Sequence, residues 1–368
     1  MIIRIVDIGS NSVKASRYRI EHGKHQLLSR DKLDYSLGVA VFPHGDIPDS
    51  GLAKIAAFIV GKGSRAAVRA DFTFALATSA VRSAKNRDAF VRRLSEKTGV
   101  AVRLLSGAEE SFLIHGGILG SARPKPRGVI KTIDIGGGSA EVSWSRDGKY
   151  LFGRSYDLGA IRLARSFFGD KDGAGGKEKK ARKPDTAFTA ATLAKVYDFA
   201  LAEVRAHSPD EAPVAERAIG SSGNVRAIAH MVAKVRGPAF RRHLPGVTPG
   251  SLEDLVEFCV GRTPSEIAVL FDLPIARARI IPAGLMVLLA SLRHFGIRQL
   301  EIAEAGLREG AATFWSRHGH LTLPLLEEHG PKTEAGYGKP RSKNKNASKS
   351  ARTSARKIAN KSEIERKR

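Results

Sequence analysis

A short pattern, Asp-Ile-Gly with a serine three residues after the glycine, occurs twice in this chain and constrains its fold more than any other feature. The copies begin at Asp7 and Asp134, an offset of 127 residues. Each follows a β-branched run, and glycine allows turn dihedrals that other residues resist. We therefore predict a strand, a tight turn and a second strand over residues 2–20 and again over 128–144. Repetition at the spacing of a domain indicates a duplicated unit.

Strand-like runs alternate with helical patterns along the rest of the chain, which predicts the α/β class. We expect an N-terminal domain over residues 1–123, a C-terminal domain over 124–328 and a mobile insertion at 169–185. The segment 329–368 is expected to be a disordered tail. The pattern predicts further elements as follows: a loop from Asp34 to Pro48, a helix from about Ser50 to Val68, a strand from Phe72 to Thr78, a helix from Arg87 to Thr98, a helix from Ser106 to the glycines at 116–120, a buried helix over 284–295 and a last helix from Gly306.

Composition narrows the class of protein. The single cysteine, Cys259, excludes an internal disulfide framework and is typical of a reducing compartment. An acidic residue interrupts the N-terminal apolar run too early for a signal peptide. The most apolar later stretch, residues 284–292, is shorter than the roughly 20 residues that span a bilayer. We therefore expect a cytoplasmic protein that does not bind membranes.

The formal net charge is +24, and part of it lies in the C-terminal segment. From Pro331 to Arg368 there are 13 lysines and arginines against three acidic residues, a net charge of +10, which leaves +14 for the preceding chain. That segment has few large apolar residues and cannot bury enough surface to fold. It is either a solvated tail without a dedicated role or an arm for polyanions such as RNA or polyphosphate. The excess on the folded part favours an anionic substrate.

The two turns suggest a phosphate site between the repeated units. Backbone N–H groups in glycine-rich turns can approach an anion closely. In the simplest assembly of a duplicated unit the turns face each other across a cleft. Asp7 and Asp134 end the first strand of each hairpin, where carboxylates can hold Mg²⁺ or Mn²⁺, since such hard ions prefer oxygen ligands. The predicted phosphate-binding residues of the turns are Ser10, Asn11, Ser12, Gly136, Gly137, Gly138 and Ser139.

With these motifs in place, the chain resembles the exopolyphosphatase/guanosine pentaphosphate phosphohydrolase (Ppx/GppA) family over about residues 1–320. The resemblance implies two ribonuclease-H-like domains of the actin-like ATPase superfamily around a central cleft. It also implies a hydrolase that acts on phosphoanhydride bonds, and a possible homodimer. The motifs that carry it are Asp7–Ser12, Ala77–Arg82, Ser106–Glu110, Asp134–Glu141, Leu158–Leu163, Ile281–Gly284 and Gly306–Gly310.

The resemblance also implies roles for three side chains outside the turns. Glu110 matches the family's catalytic glutamate, a general base for the water that attacks the terminal phosphorus, and Glu109 is the expected bystander. Glu141 matches a second acid that assists the water or the metal. Arg82 matches a phosphate-binding arginine. Taken alone, an acid in a first helical turn or an arginine at a helix start has an ordinary structural explanation.

Three functions remain open at this point. The first is Mg²⁺-dependent removal of the terminal phosphate of polyphosphate, with guanosine pentaphosphate as the alternative substrate. Longer members of the family are expected to carry a further helical domain that extends the polyphosphate channel. This chain instead continues as a basic segment after about residue 325, so we expect it to act on shorter polyphosphate. The second is an ATP-dependent kinase of the same superfamily. The third is a binding protein that uses its basic tail to hold RNA or polyphosphate.

Overall fold

The computed structural model describes residues 1–61, 69–123, 125, 127–169, 185–209, 212–237, 246–324 and 326. The predicted insertion at 169–185 lies outside these residues except for its two end positions, and the predicted tail at 329–368 lies wholly outside them. The helix predicted to reach Val68 ends at Ile59 instead, and residues 62–68 are outside the described ranges. The strands are β1 Ile2–Ile8, β2 Val13–Glu21, β3 Lys24–Leu33, β4 Phe72–Ala77, β5 Val102–Leu104, β6 Val129–Ile135, β7 Ala140–Arg146, β8 Lys149–Tyr156, β9 Arg217–Ser221 and β10 Glu301–Ile302. The helices are α1 Leu37–His44, α2 Asp49–Ile59, α3 Ser79–Ser83, α4 Arg87–Thr98, α5 Gly107–Ser121, α6 Ala160–Phe168, α7 Ala190–His207, α8 Ser222–Arg236, α9 Pro249–Cys259, α10 Pro264–Phe271, α11 Ile275–Ala278, α12 Ile281–His294 and α13 Leu307–His318.

The strands form two five-stranded sheets with the same topology. The first has the order β3-β2-β1-β4-β5, and the second, written from its other edge, β8-β7-β6-β9-β10. In each sheet the first three strands are an antiparallel meander, and the next two strands are parallel to the first. The predicted α/β class and the duplication are therefore confirmed. We call the first sheet with α1–α4 the first lobe, and the second sheet with α6–α12 the second lobe.

The alternation of side chains along β1 decides which face of the first sheet is covered by which helices. Val6 and Ile8 point into the core that α1, α2 and α4 complete. Ile3 and Ile5 point to the opposite face, into a cluster that also contains Leu113 of α5, residues of α13 and Ile130 of the second sheet. Helices α5 and α13 therefore pack between the two sheets, on the same side as Asp7.

Some element predictions were wrong. Residues 37–44 form α1 inside the segment predicted as a loop, because Leu37 and Val41 are buried in the first-lobe core. The prediction that the helix capped by Ser106 ends near the glycines at 116–120 is confirmed, since α5 ends at Ser121, directly after Gly120. A Cβ at Gly117 would overlap the backbone of Gly306 and Gly310, so this glycine allows close contact between α5 and the chain at the start of α13. Strands β3 and β8, the third strands of the two meanders, were not predicted.

Three further predictions concern membrane-spanning helices, the domain boundary and the single cysteine. Within the described ranges no helix combines the length and apolar character needed to cross a bilayer. The boundary expected between residues 123 and 124 stays a prediction. Cys259 is fully buried, and it is a free thiol, as its being the single cysteine requires.

Candidate active site

A cleft of about 140 Å³ lies where the tips of the two repeated hairpins approach each other. Ten of the twelve predicted site residues line it, and only Arg82 and Glu141 lie behind the lining. The lining predicted from the sequence comprises Asp7, Ser10, Asn11, Ser12, Glu110, Asp134, Gly136, Gly137, Gly138 and Ser139.

The first hairpin contributes a turn with short polar side chains, residues Gly9–Ser12, which we call the serine turn. Ser10 and Ser12 are both 5% exposed. The carbonyl oxygen of Ser10 accepts hydrogen bonds from the Gly38 amide at 2.8 Å and the Ser36 hydroxyl at 3.1 Å. These two bonds attach the serine turn to the segment that enters α1. In the register of the hairpin Asp7 lies opposite Lys14, so a carboxylate and an ammonium group flank this turn.

The second hairpin contributes the glycine turn, Gly136–Ser139, whose first three carbonyl groups accept hydrogen bonds from residues of α6 that do not line the cleft. The Gly136 oxygen accepts from the Ala160 amide at 3.0 Å, and the Gly137 oxygen from the Ile161 amide at 2.8 Å. The Gly138 oxygen accepts from Nε of Arg162 at 2.8 Å.

This arrangement leaves a row of backbone donors on the cleft side. The C=O and N–H of one planar peptide point in opposite directions. Holding the three carbonyls therefore turns the N–H groups of Gly137, Gly138 and Ser139 towards the cleft. Within the described part of the chain these three amides donate to no protein acceptor. Converging amides of this kind form an anion-binding concavity.

Glycine is required at position 138 because the two lobes meet there. A Cβ at Gly138 would lie about 2.5 Å from both the Ser10 and the Ser79 hydroxyl oxygens and 2.6 Å from the Phe42 ring. All three of these neighbours belong to the first lobe or its edge. The glycine turn thus closes against the serine turn across the cleft.

Helix α5 places Glu110 in the cleft, whereas the side chain of Glu109 makes its contacts outside the cleft. Ser106 caps the helix, and its amide donates to the Glu109 carboxylate at 2.9 Å in a capping box. Glu109 also pairs with Arg103. Glu110, one position on, is buried and forms an ion pair with Arg82 at 2.9 Å. Glu109 therefore has a structural role, in keeping with its assignment as the bystander.

Burial raises the pKa of Glu110 to about 7, although the Arg82 charge acts in the opposite direction. Burial and the neighbouring charges of Glu110 and Asp134 raise the pKa of Glu141 well above its usual range. Glu141 accepts a hydrogen bond from the Ser155 hydroxyl at 2.8 Å. Two neighbouring carboxylates in a buried site resist double ionisation, which raises the pKa of Glu141 further.

Arg82 lies behind Glu110 rather than in the cleft lining. Its Nη1 donates to the Glu110 carboxylate and to the Leu105 carbonyl, both at 2.9 Å, and its side chain is 24% exposed. The structure thus places Arg82 against the carboxylate predicted to be the base. Its predicted contact with phosphate stays a prediction.

Asp7 and Asp134 both face the cleft, and burial raises the pKa of each, that of Asp134 to about 6. The positive charge of Lys14 acts on both carboxyl groups in the opposite direction. In the described ranges no group of three or more His, Cys, Asp or Glu side chains is arranged to hold a metal. Mg²⁺ commonly binds through one or two carboxylates together with water and substrate phosphates, so this oxygen pair fits such an ion.

Sequence reasoning missed most of the basic side chains of the cleft. Arg226 donates to the Glu304 carbonyl at 3.0 Å, Arg277 to the Gly223 carbonyl at 2.5 Å, and Arg308 to the Ser16 hydroxyl at 2.6 Å. The lining residues that were not predicted include Lys14, Thr78, Ser79, Ser221, Arg226, Arg277, Arg308 and Glu309. A signal for Lys14 was available, because the 127-residue offset pairs it with Glu141. Arg226 and Arg277 come from distant segments, and no local pattern marks them, whereas Arg308 lies in the motif Gly306–Gly310 but was not assigned to the site.

Comparisons with known proteins agree with this picture. The sequence profile described as the Ppx/GppA phosphatase family matches residues 18–316. Exopolyphosphatase 1 of Mycobacterium leprae is 30% identical over 316 residues, which cover 84% of this chain and 88% of the relative. Exopolyphosphatase 1 of Mycobacterium tuberculosis H37Rv is 31% identical over 320 residues, covering 84% and 87%.

Solved structures show the same fold. The Aquifex aeolicus member of the Ppx/GppA family superposes with a TM-score of 0.66 at 22% identity, covering 85% of this chain and 97% of that one. An exopolyphosphatase from Cytophaga hutchinsonii gives a TM-score of 0.69 at 19% identity, covering 90% and 100%. The predicted two-domain, actin-like architecture is confirmed.

Proposed function

The chain belongs to the Ppx/GppA phosphatase family, and from this premise we propose that it removes the terminal phosphate of inorganic polyphosphate. Its membership makes it a phosphatase acting on phosphoanhydride bonds, which is the predicted enzyme class, rather than an ATP-dependent kinase. One observation carries the substrate proposal. Backbone amides of the glycine turn and four basic side chains converge on the cleft that Glu110 enters.

The chemistry assigned to the chain's own residues is a hydrolysis. Glu110 accepts a proton from water as the water oxygen bonds to the terminal phosphorus. The bridging P–O bond then breaks, and the shortened chain leaves. A base with a pKa near the working pH is suited to such a transfer, which supports this role for Glu110. The amides of Gly137, Gly138 and Ser139 face the charge that builds on the transferred phosphate.

Asp7 and Asp134 are proposed to hold Mg²⁺ or Mn²⁺ together with phosphate oxygens. When bound, such an ion neutralises charge on the phosphates. Both carboxyl groups lie on the cleft side of their strands, and each ends the first strand of its hairpin. Depletion of divalent ions should abolish turnover while leaving the fold intact. Circular dichroism spectra recorded with and without a chelator check the second half of this expectation.

A preference for shorter polyphosphate chains is part of the proposal. The cleft is small, at about 140 Å³, and four basic side chains from distant segments lie around it. A second candidate is removal of the 5′-terminal phosphate of guanosine pentaphosphate, which would use the same terminal phosphate site. The junction of β9 and α8, residues Ser221 to Asn224, lines the cleft beside Arg277 and would lie next to a nucleoside bound there. The polyanion-binding tail and the homodimer stay predictions.

One experiment tests the proposal directly. Phosphate release is measured side by side from tripolyphosphate, long-chain polyphosphate and guanosine pentaphosphate, with Mg²⁺, for the wild type and Glu110→Gln. We expect the fastest turnover on the short polyphosphate and a loss of roughly 10²–10⁴-fold in the variant. Glu109→Gln, which changes the adjacent side chain in the same way, is the matched control. Unimpaired turnover in Glu110→Gln would overturn the assignment of the base.

A further inference from the structure

The segment Leu158–Leu163 stood out in the sequence but has no part in the chemistry above. Helix α6 begins in it, and Arg162 lies in the first turn of that helix. We propose that Arg162 is a positioning residue that couples the orientation of the glycine turn to closure of the two lobes. The expected loss of turnover in variants of Arg162 rests on the proposed function, whereas the expected change in the distance between the lobes does not.

The first half of the argument concerns the glycine turn. Successive amides at the start of α6 donate to the carbonyls of Gly136 and Gly137, and Arg162 donates through Nε to the carbonyl of Gly138. The last of these bonds is the only one made by a side chain to the Gly138 oxygen in the described part of the chain. It fixes the peptide whose N–H belongs to Ser139, so that this donor faces the cleft.

The fit between helix and turn is close. A Cβ at Gly159 would overlap the backbone of Gly137 and Gly138, so the residue before α6 is in direct contact with the turn. The backbone dihedrals of Gly159 are ordinary for any residue, with φ at −76°. Close packing, rather than an unusual conformation, therefore explains glycine at this position.

The second half concerns the first lobe. The same guanidinium group donates through Nη2 to the Ser83 hydroxyl at 2.8 Å, and its Cζ lies 4.4 Å from the centre of the Phe42 ring. Asp157, which precedes α6, holds it with a contact of 2.9 Å. Ser83 follows Arg82, the partner of Glu110. One side chain thus links the glycine turn to the first lobe beside the catalytic pair.

These contacts give the coupling a physical basis. If the lobes separate, Arg162 loses Ser83 and Phe42 and keeps only its partners in the second lobe. Its guanidinium, then held only by Asp157 and the Gly138 carbonyl, is free to turn towards solvent, which weakens the bond to Gly138. The Ser139 amide is consequently held towards the cleft most firmly when the lobes are closed.

Three variants separate the two halves. Arg162→Met removes both sets of contacts. Ser83→Ala removes the hydrogen bond between Arg162 and the first lobe but keeps the bond to Gly138. Because Ser83 is exposed, the change should disturb the fold little. Arg165→Met, three residues further along α6, removes the same charge from an exposed position and is the matched control.

Lobe closure is measured without substrate. Spin labels at Glu96→Cys in α4 and Lys195→Cys in α7, both exposed positions, report the distance between the lobes by electron–electron double resonance. Native Cys259 is fully buried, and burial raises the pKa of its thiol to about 12, so it does not compete for the label. This measurement stays valid even if polyphosphate is not the substrate.

We expect Arg162→Met to broaden the distance distribution towards longer values and to lower kcat on tripolyphosphate by roughly 10–100-fold, since small misplacements of a binding group have effects of this size. Ser83→Ala should broaden the distribution and lower kcat less. Arg165→Met should match the wild type in both. The inference is overturned if either Arg162→Met or Ser83→Ala leaves the distribution unchanged, or if Arg162→Met turns over as fast as Arg165→Met.

Discussion

The two repeated hairpins have the same register but opposite charge at one position. Asp7 lies opposite Lys14 in the first hairpin, and Asp134 lies opposite Glu141 in the second. The positions correspond at the offset of 127 residues. A duplicated framework thus presents a cation to the cleft from one wall and places a buried second carboxylate behind the lining of the other. The difference suggests that the first hairpin mainly binds phosphate and the second mainly takes part in the chemistry.

The turns differ in a related way. The serine turn carries side chains at Ser10 and Asn11, whereas the corresponding positions of the second turn are Gly137 and Gly138. Only the second turn must do without Cβ atoms, because it closes against residues of the first lobe. The first wall therefore offers hydroxyl and amide side chains, and the second wall offers backbone donors.

The largest expected effect comes from removing the acid that distinguishes the second hairpin. In Glu141→Gln we expect kcat on tripolyphosphate to fall by roughly 10²–10⁴-fold, because the second acid, expected to assist the water or the metal, is lost. The KM should change little. Steady-state kinetics of phosphate release check both values, with Glu21→Gln at the exposed end of the first hairpin as the control. A large rise in KM at unchanged kcat would make the second hairpin a binding wall like the first.

A smaller loss is expected from adding one methyl group to the second turn. Gly138→Ala should lower kcat/KM by roughly 10²-fold, because the Cβ forces the glycine turn away from Ser10 and Ser79 by a distance that matters for catalysis. Asn11→Ala, at the matching position of the first turn, already has a Cβ and should lose about tenfold at most. Equal losses in the two variants would show that the turns are equivalent.

Lys14→Met should give the opposite kinetic pattern to Glu141→Gln. A cation that attracts phosphates equally in the ground state and the transition state contributes to KM rather than kcat. We expect KM to rise about tenfold and its dependence on salt to become shallower. The control is Lys24→Met, which removes the same charge from an exposed strand end. A fall in kcat at constant KM would contradict the division between the two walls.

The smallest expected effect concerns stability against pH. The folded-state pKa of Glu141 is raised, so its contribution to stability is complete below its ordinary pKa near 4.5 and is lost as the pH rises through the folded value. The glutamine in Glu141→Gln does not titrate, so the variant does not lose this stability as the pH rises. The gain in unfolding free energy over the wild type should therefore grow with pH, by at most about 1.4 kcal/mol per pH unit. Urea titrations between pH 4.5 and 8 in a chelator measure it, and parallel curves would contradict the assigned shift.

Much of the fold follows from local signals. The hairpins were predicted because β-branched runs flank turns rich in glycine and serine, and the bounds of α4 match the predicted helix from Arg87 to Thr98, after which Gly99 is the C-cap. Strand β3 was missed because its residues are mostly polar and half exposed, with a burial pattern that gives no strong alternation. Helix α1 was missed because its stability comes from burial of Leu37 and Val41, which is a tertiary effect.

The residues of the site likewise divide into those that the sequence locates and those whose place depends on tertiary packing. Turn residues and Asp7 could be located from the repeat, and Glu110 from the resemblance to a family. Arg277 could not, because its place in the cleft depends on how α11 packs, far from either hairpin in sequence. Arg308 lies in the motif Gly306–Gly310, but its place in the cleft depends on how α13 packs. The pairing of Arg82 with Glu110 is likewise a consequence of tertiary packing between α3 and α5.

The position of α13 has a consequence for how the chain acquires its structure. Ala311, Ala312 and Trp315 of this helix cover the face of the first sheet that carries Ile3 and Ile5. Helix α5 covers part of this face, but the part that α13 covers stays exposed during synthesis until residues 307–318 have left the ribosome, long after the first lobe has been made. Contacts between such distant segments slow folding and leave apolar surface exposed to aggregation. The nascent chain should accordingly depend on chaperones until its last helix has docked.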